Sequence, residues 1–240
     1  MRTVLKKYAL LLIVLGCGGG KPTNRDSAIA QGSVPEAGST ALAPSTKNPA
    51  PGPKYAPGSI IVFAGTSLTA GYGLDPDSAY PQIIQRKLDS AGLKFDVVNA
   101  GVSGETSSGL LRRLRWLLRE PFEVFVIETG ANDGLRGIPV ETMASNIQQI
   151  IEGVRTARPR AQIMLIQMEA PPNLGTDYTR RFREVFPELA KRNGVILLPF
   201  LLENVAGLRH LNQGDGMHPN DEGERIVAEN VWKALRPLLQ

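Results

Sequence analysis

Residues 59–73 read SIIVFAGTSLTAGYG, and this stretch indicates the type of fold. Ser59 to Ala64 form a continuous run of mainly β-branched and aromatic residues, which is typical of a strand buried on both faces. Gly65 follows the run, and Ser67 comes next but one, in a segment that ends at Gly71. We therefore predict a buried strand followed by a tight turn into a helix, with the Ser67 hydroxyl presented above the sheet.

Four more apolar runs follow this strand along the chain. They are Phe95 to Asn99, Val124 to Glu128, Ile163 to Gln167 and Val195 to Leu198. Apolar residues recur at helical spacing between the runs, and Pro187 is expected to bend or interrupt the fourth of these helices. The alternation predicts an α/β fold, a three-layer α/β/α sandwich around a five-stranded, mostly parallel sheet. Sites in such folds form at the carboxyl ends of the strands.

The first 57 residues differ in composition from the rest of the chain. Residues 1–17 combine a basic start with a short apolar run that ends at Cys17, which indicates a lipoprotein-type signal peptide with an acylated cysteine. A plain signal peptide, or an uncleaved anchor with an incidental cysteine, is the alternative. Residues 18–57 are rich in Pro, Gly, Ala and Ser and predict a tether, or merely a long leader. Residues 58–240 then form one folded domain.

The amino-terminal pattern resembles a bacterial lipobox, so we expect an exported protein of the cell envelope that contacts the membrane through a lipid on Cys17. The mass of the mature amino terminus would check this expectation. The formal net charge is +4, and removal of Arg2, Lys6 and Lys7 leaves 4 − 3 = +1, so a nucleic-acid partner is not expected. Cys17 is the single cysteine, which excludes an intrachain disulfide. The oligomeric state has no signal in the sequence.

Three of the strand ends carry residues suited to catalysis. Ser67 offers a nucleophile and a backbone N–H for an anion, although an ordinary helix-capping serine would look the same and a phosphate-binding loop is a weaker alternative. Gly104 can bring a bare backbone N–H close to a substrate, or simply form a turn before a helix. Asn132 can donate from its amide to a developing oxyanion, but Asn-Asp-Gly is also a strong turn signal.

A fourth segment, residues 214–220, reads GDGMHPN and precedes the last helical pattern. Asp215 and His218 are three residues apart, so that one tight turn can place the carboxylate against the imidazole. The alternative is an aspartate that caps the helix and a surface histidine. The chain has two histidines and one cysteine with no further ligand cluster, so a metal site is not predicted.

The four segments together resemble the four sequence blocks of the SGNH hydrolases, also called the GDSL esterase family. Within that family the chain is most similar to the bacterial arylesterase, thioesterase I and lysophospholipase group. The resemblance covers Ser59 to the carboxyl terminus, and one departure is plain, because Thr66 stands where the family usually has aspartate. The matching segments are residues 65–68, Gly104, residues 130–134 and residues 215–220, with further similarity at residues 133–137 and 197–200.

The resemblance implies a flavodoxin-like fold and a serine mechanism without a cofactor. It implies a catalytic triad of Ser67, Asp215 and His218. The oxyanion would be held by the backbone N–H groups of Ser67 and Gly104 and by the side chain of Asn132. Thr66 is not at a triad position, but it alters the hydrogen bonding beneath the nucleophile turn.

The substrate is then expected to be a small-molecule or lipid ester: a short to medium acyl ester, an aryl ester, a thioester or a lysophospholipid. The segment after the fourth strand, with Leu174 and Tyr178, is either a substrate loop or a surface connection. Two alternatives to this function stay open. One is a carbohydrate O-deacetylase acting on envelope sugars, and the other is a non-catalytic lipoprotein that binds a lipid or a sugar.

Overall fold

The computed structural model describes residues 55–240, so Cys17 and the tether up to residue 54 lie outside the described residues. The five predicted strands are all present, with bounds that differ from the prediction by one or two residues. They are β1 (Ser59–Gly65), β2 (Phe95–Gly101), β3 (Val124–Ile127), β4 (Gln162–Ile166) and β5 (Ile196–Leu198). Every residue of β3 is buried, which places covering layers on both faces of the sheet, because successive side chains point to opposite faces.

The strand order is β2-β1-β3-β4-β5, and every neighbouring pair is parallel. β1 therefore has β2 on one side and β3 on the other, so the direction in which the chain adds strands reverses at β1. Loops leave such a reversal point toward opposite faces and open a crevice at the carboxyl ends of the strands. The turn after β1, which contains Ser67, lies at this crevice.

Helices cover the sheet in two groups. α3, α5 and α6 pack side by side, and α2 packs against α7, which completes the predicted three-layer sandwich. The helices are α1 (Ser67–Ala70), α2 (Tyr80–Ser90), α3 (Ser107–Leu117), α4 (Ala131–Leu135), α5 (Val140–Ala157), α6 (Thr176–Asn193) and α7 (Asp221–Leu235). Within residues 55–240 no helix is both long and apolar enough to span a membrane.

Pro187 does not interrupt its helix, contrary to one of the two predicted outcomes. α6 runs without a break from Thr176 to Asn193 with Pro187 inside it. A proline removes one backbone donor and crowds the preceding turn, and isolated helices usually stop there. Here the buried side chains of Phe182, Phe186 and Leu189 hold both halves of α6 against the sheet layer. Tertiary packing therefore outweighs the local cost of the proline.

Candidate active site

The nucleophile turn joins β1 to the short helix α1. Thr66 is the N-cap of α1, in an extended conformation, and Ser67 is the first helical residue. α1 ends after one turn at Gly71, whose φ of 69° lies in the left-handed region that glycine enters without strain. The short helix holds the half-buried Ser67 side chain at the carboxyl end of the sheet, as predicted from the flanking glycines.

His218 links Ser67 to Asp215. Its Nε2 lies 2.9 Å from Ser67 Oγ, and its Nδ1 lies 2.6 Å from Asp215 Oδ2. An ionised carboxylate only accepts hydrogen bonds, so the proton belongs on Nδ1 and Nε2 is left to accept the serine hydroxyl proton. The three residues are thereby arranged as a nucleophile, a general base and the group that orients the base.

Asp215 keeps its negative charge because the imidazole and two backbone N–H groups donate to it. The hydrogen bond from the His218 side chain is the largest cause that lowers the pKa of Asp215 to about 2, and the backbone N–H groups of His218 and Met217 act in the same direction. Both N–H groups donate to Asp215 Oδ1, at 3.0 and 2.9 Å. The carboxylate is therefore ionised at neutral pH and stabilises an imidazolium when His218 takes a proton.

Gln213 holds the histidine loop against the nucleophile loop. Its backbone N–H donates to the His218 carbonyl at 2.7 Å, and its side-chain amide donates to the Tyr72 and Pro219 carbonyls at 2.7 and 2.9 Å. The Tyr72 ring also packs on the His218 ring, with centroids 4.8 Å apart. These contacts position His218, and neither Gln213 nor Tyr72 was identified from the sequence. The glycines on both sides of Tyr72 are the signal that could have drawn attention to it.

Gly104 and Asn132 lie in the wall of the same cleft as Ser67. Gly104 has a φ of 75°, and the Arg136 side chain donates to its carbonyl oxygen at 2.8 Å, which fixes the plane of the following peptide. Asn132 is the second residue of α4, and its neighbour Asp133 is fully buried. Asp133 accepts from the Ser107 N–H at 2.8 Å and from its hydroxyl at 2.6 Å, so α4 is tied to the start of α3.

An ion pair anchors the loop around Gly104. Arg113 Nη2 lies 2.6 Å from Glu105 Oε2 and donates to the Ala100 carbonyl at 2.8 Å. It also reaches the Gly65 carbonyl at 3.4 Å. Arg113 therefore connects the Gly104 loop with the carboxyl ends of both β2 and β1. These contacts fix the distance between the Gly104 loop and the nucleophile turn, which carry two of the candidate oxyanion donors.

The cleft above these residues has a volume of about 660 Å³ and a mainly apolar lining. Such a size and lining suit a small organic ligand with an apolar part. Its apolar wall includes Leu68, Met168, Pro171, Phe200, Leu202 and Met217.

Leu174 and Tyr178 are not in the cleft wall, although their segment begins there with Ala170 and Pro171. Leu174 ends a single 3₁₀ turn, and Tyr178 lies in the first turn of α6. The Tyr178 hydroxyl donates to the Ile138 carbonyl at 2.7 Å. The Tyr178 ring packs on Phe182, and the choice between a substrate loop and a surface connection for this segment stays a prediction.

Within residues 55–240 there is no group of three or more His, Cys, Asp or Glu side chains that could hold a metal ion.

The sequence patterns did not identify one buried acid near the site. Glu128 follows β3, is 1% exposed and contacts the nucleophile turn. An acid at the end of a fully apolar strand is an unusual residue for a protein interior, and this is the signal that could have found it.

A Ser–His–Asp arrangement at the carboxyl edge of a parallel sheet defines a serine hydrolase, and comparison with known proteins identifies the family. The family model for the GDSL-like lipase/acylhydrolase family matches residues 63–226. The chain belongs to this family, as the four sequence blocks predicted, and it is a serine ester hydrolase.

Individual relatives are similar over most of their length. Esterase TesA of Pseudomonas aeruginosa is 37% identical over 180 residues, which are 75% of this chain and 89% of that protein. Thioesterase 1/protease 1/lysophospholipase L1 of Escherichia coli is also 37% identical, over 75% of this chain and 84% of that protein. The crystal structure of the psychrotrophic esterase EstA from a Pseudoalteromonas species, inhibited by monoethylphosphonate, superposes with a TM-score of 0.71. That structure is 33% identical and covers 75% of this chain and 98% of EstA.

Proposed function

We propose that the chain hydrolyses carboxylic esters through an acyl-enzyme on Ser67, with His218 as general base and Asp215 as the residue that orients it. The observation that carries this proposal is the continuous pair of hydrogen bonds from Ser67 Oγ to His218 Nε2 and from His218 Nδ1 to Asp215. Ser67, His218 and Asp215 line a cleft that is large enough for an ester substrate.

The reaction has two halves. Ser67 Oγ attacks the ester carbonyl carbon while His218 Nε2 takes the hydroxyl proton, and the same proton then passes to the departing alkoxide. In the second half, water attacks the acyl carbonyl, His218 takes a water proton, and the Ser67 oxygen leaves and recovers that proton. The carboxylic acid is released and the free enzyme is restored.

Charge develops on the carbonyl oxygen in both halves. The Ser67 and Gly104 N–H groups and the Asn132 amide are the proposed donors to this oxyanion, because all three residues lie in the wall of the same cleft. Donors that are already in place need no reorganisation during the reaction, which is why such groups contribute strongly to catalysis.

The apolar wall of the cleft favours an acyl chain of medium length over acetyl. Met168, Phe200 and Leu202 offer no hydrogen bonds to sugar hydroxyl groups, so the cleft gives less support to a carbohydrate O-deacetylase. The name of the Escherichia coli relative points to thioesters and lysophospholipids as further substrates to be tried. The non-catalytic alternative leaves the alignment of Ser67, His218 and Asp215 without a purpose.

Hydrolysis of p-nitrophenyl esters from acetyl to palmitoyl tests the proposal. We expect Ser67→Ala to lower kcat by at least about a thousandfold, because the remaining groups bind substrate but provide no nucleophile. Ser108→Ala is the matched control, since Ser108 is an exposed serine of α3 and should leave kcat unchanged. A medium-chain optimum is the expected profile. Wild-type turnover by Ser67→Ala would refute the serine assignment, and activity confined to acetyl esters would favour the deacetylase.

A further inference from the structure

Glu128 is a buried acid directly beneath the nucleophile turn. It follows β3, which pairs with β1, and its own N–H donates to the Ala64 carbonyl at 2.9 Å. Its side chain is almost completely buried and does not line the cleft. The carboxyl group therefore has no direct access to a substrate, and any effect on the reaction has to pass through its neighbours.

Those neighbours are the two threonines on either side of Ser67. The Thr66 N–H donates to Glu128 Oε2 at 2.7 Å, and the Thr66 hydroxyl lies 2.9 and 3.0 Å from the two carboxyl oxygens. The Thr69 hydroxyl donates to Oε2 at 2.9 Å. In the part of the chain that the structure describes, no Lys or Arg forms an ion pair with Glu128. All its side-chain hydrogen bonds thus go to the segment that holds Ser67.

Thr66 suits this contact because a hydroxyl both donates and accepts. It donates to Glu128 and accepts the Leu68 N–H at 3.5 Å as the N-cap of α1. An aspartate here, as is usual in the family, would bring two carboxyl groups within hydrogen-bond distance, and both could not stay ionised. Thr66 therefore makes a hydroxyl–carboxyl contact with Glu128, where an aspartate would place two carboxyl groups side by side.

Gly65 leaves the space that the carboxyl group needs. A Cβ at position 65 would lie 2.6 Å from Glu128 Oε2 and 2.0 Å from Thr69 Oγ1. Neither distance is sterically allowed, so the glycine and the acid depend on each other. The contact between β3 and the nucleophile turn is therefore built from several residues and does not depend on one side chain alone.

We propose that Glu128 is a positioning residue of the hydrolase: its hydrogen bonds to Thr66 and Thr69 direct Ser67 Oγ toward His218 and the Ser67 N–H toward the cleft. This inference rests on the proposed role of Ser67 as nucleophile. Loss of the contact should lower the rate of attack on the ester more than it weakens substrate binding, because the apolar wall of the cleft is formed by other residues.

The role requires hydrogen bonds and does not require a charge. A glutamine can place its carbonyl oxygen at the position of Oε2, where it accepts from the Thr66 N–H and the Thr69 hydroxyl, while its NH2 group at the position of Oε1 donates to the Thr66 hydroxyl oxygen. Burial raises the pKa of Glu128 and outweighs the hydrogen bonds from Thr66 and Thr69, which lower it. Glutamine therefore keeps an acceptor beneath the turn, whereas a leucine of similar size removes the acceptor of the Thr66 N–H and the Thr66 hydroxyl and leaves the Thr69 hydroxyl with Tyr80 alone.

The test compares Glu128→Leu, Glu128→Gln and a matched control, Glu224→Leu. Glu224 is also 1% exposed, but its carboxyl group accepts from the Tyr80 N–H and does not touch the nucleophile turn. We expect Glu128→Leu to lower kcat by about 30- to 100-fold with KM changed by no more than about twofold, as for a misplaced reacting group. Glu128→Gln should stay within about threefold of wild type, and Glu224→Leu should lose thermal stability while folded enzyme keeps its kcat.

The rate at which a phosphonate ester modifies Ser67 provides a second readout, because it measures nucleophilic attack without product release. It should fall in parallel with kcat in Glu128→Leu. Folded Glu128→Leu with wild-type kcat and wild-type phosphonate reactivity would overturn the proposal. If Glu128→Leu does not fold, Thr66→Val and Thr66→Ser replace it: the valine variant should lose about three- to tenfold in kcat, and the serine variant should recover it. An unchanged kcat in Thr66→Val would then overturn the proposal.

The outcomes separate this inference from the proposed function. Ser67→Ala inactive and Glu128→Leu fully active would remove the positioning role and leave the serine mechanism intact. Ser67→Ala active, with phosphonate attached elsewhere, would remove the serine mechanism itself and with it the role of Glu128.

Discussion

Asp215 decides which nitrogen of His218 carries the proton. Its Oδ2 faces Nδ1 of the imidazole, and its Oδ1 accepts two backbone N–H groups of the same turn. The side chain remains 34% exposed, yet three donors are enough to hold the pKa of Asp215 near 2. A sequence spacing of three residues is sufficient for this arrangement, because the turn closes on itself and needs no distant partner.

Asn132 offers the sharpest single-residue test of the oxyanion site. We expect Asn132→Ala to lower kcat by about 10²- to 10³-fold with little change in KM, because an oxyanion donor acts mainly in the transition state. Steady-state kinetics on a medium-chain p-nitrophenyl ester measures both constants.

Asn193→Ala is a suitable control for that variant. Asn193 is the last residue of α6 and donates to Gln148 and to the Leu189 carbonyl, and none of these residues lines the cleft. It should affect stability and not kcat. If Asn132→Ala kept wild-type kcat, the donors would be limited to the backbone N–H groups of Ser67 and Gly104.

The elements of the site differ in how they are held. α4 begins after Gly130, whose φ of 107° lies in the left-handed region, and a Cβ there would meet Met143 Sδ at 2.9 Å. The entry to the helix that carries Asn132 is thus set by backbone geometry that only glycine tolerates. α7, in contrast, is held by a side chain, because Asn220 Oδ1 accepts the N–H groups of Glu222 and Gly223 at 3.1 and 3.0 Å.

Asn220 therefore stabilises the helix that follows the catalytic histidine loop. Asn220→Ala should lower the free energy of unfolding by about 1 kcal/mol, within a range of about 0.5 to 2, because the first-turn N–H groups lose their acceptor. Asn220→Ser keeps a capping oxygen and should retain most of that stability. Urea denaturation of the three proteins measures the difference, and equal midpoints for all of them would show that Asn220 contributes nothing as a cap.

Element positions were predictable from local patterns, and their ends were less so. The apolar runs identified all five strands, but β2 extends to Gly101 and α6 passes through Pro187. Both differences arise from neighbours in space: β2 pairs with β1 along its full length, and α6 is packed through its buried phenylalanines. Patterns of hydropathy indicate which residues prefer the interior. They do not indicate how far the hydrogen bonding between two neighbouring strands extends.

The buried acids affect the stability of the whole domain. Burial is the largest cause that raises the pKa of Glu224 to about 8, the negative charges of Asp221 and Glu128 act in the same direction, and the bond from the Tyr80 N–H opposes them. The ordinary pKa of 4.5 applies in the unfolded chain. Below about pH 4.5 both states are protonated, and between pH 4.5 and 8 the unfolded state alone loses the proton. Stability should therefore fall as pH rises through this window.

Glu224→Gln should remove this part of the pH dependence, since glutamine keeps an acceptor for Tyr80 and has no proton to lose. Relative to the variant, the wild-type free energy of unfolding should decline by on the order of 1 kcal/mol per pH unit between about pH 5 and 8. Urea denaturation at several pH values measures both curves. Parallel curves for wild type and variant would mean that Glu224 titrates in the folded state as it does in the unfolded chain.

The sequence by itself determined the fold class, the strand positions and the identities of Ser67, Gly104, Asn132, Asp215 and His218 as candidates. It could do so because strand and turn patterns are local and because the family blocks are short. Only the tertiary structure decided that residues 151 positions apart, Ser67 and His218, lie at hydrogen-bond distance, and that Leu174 and Tyr178 are not in the cleft wall.

The contact of Glu128 with Thr66, across 62 positions, likewise depends on β3 lying next to β1 in the sheet. Strand order is set by the packing of the whole domain, because each crossover must bury its helix against the sheet and against neighbouring helices. No short segment contains that information, so the residues that position a nucleophile are found in space and not along the chain.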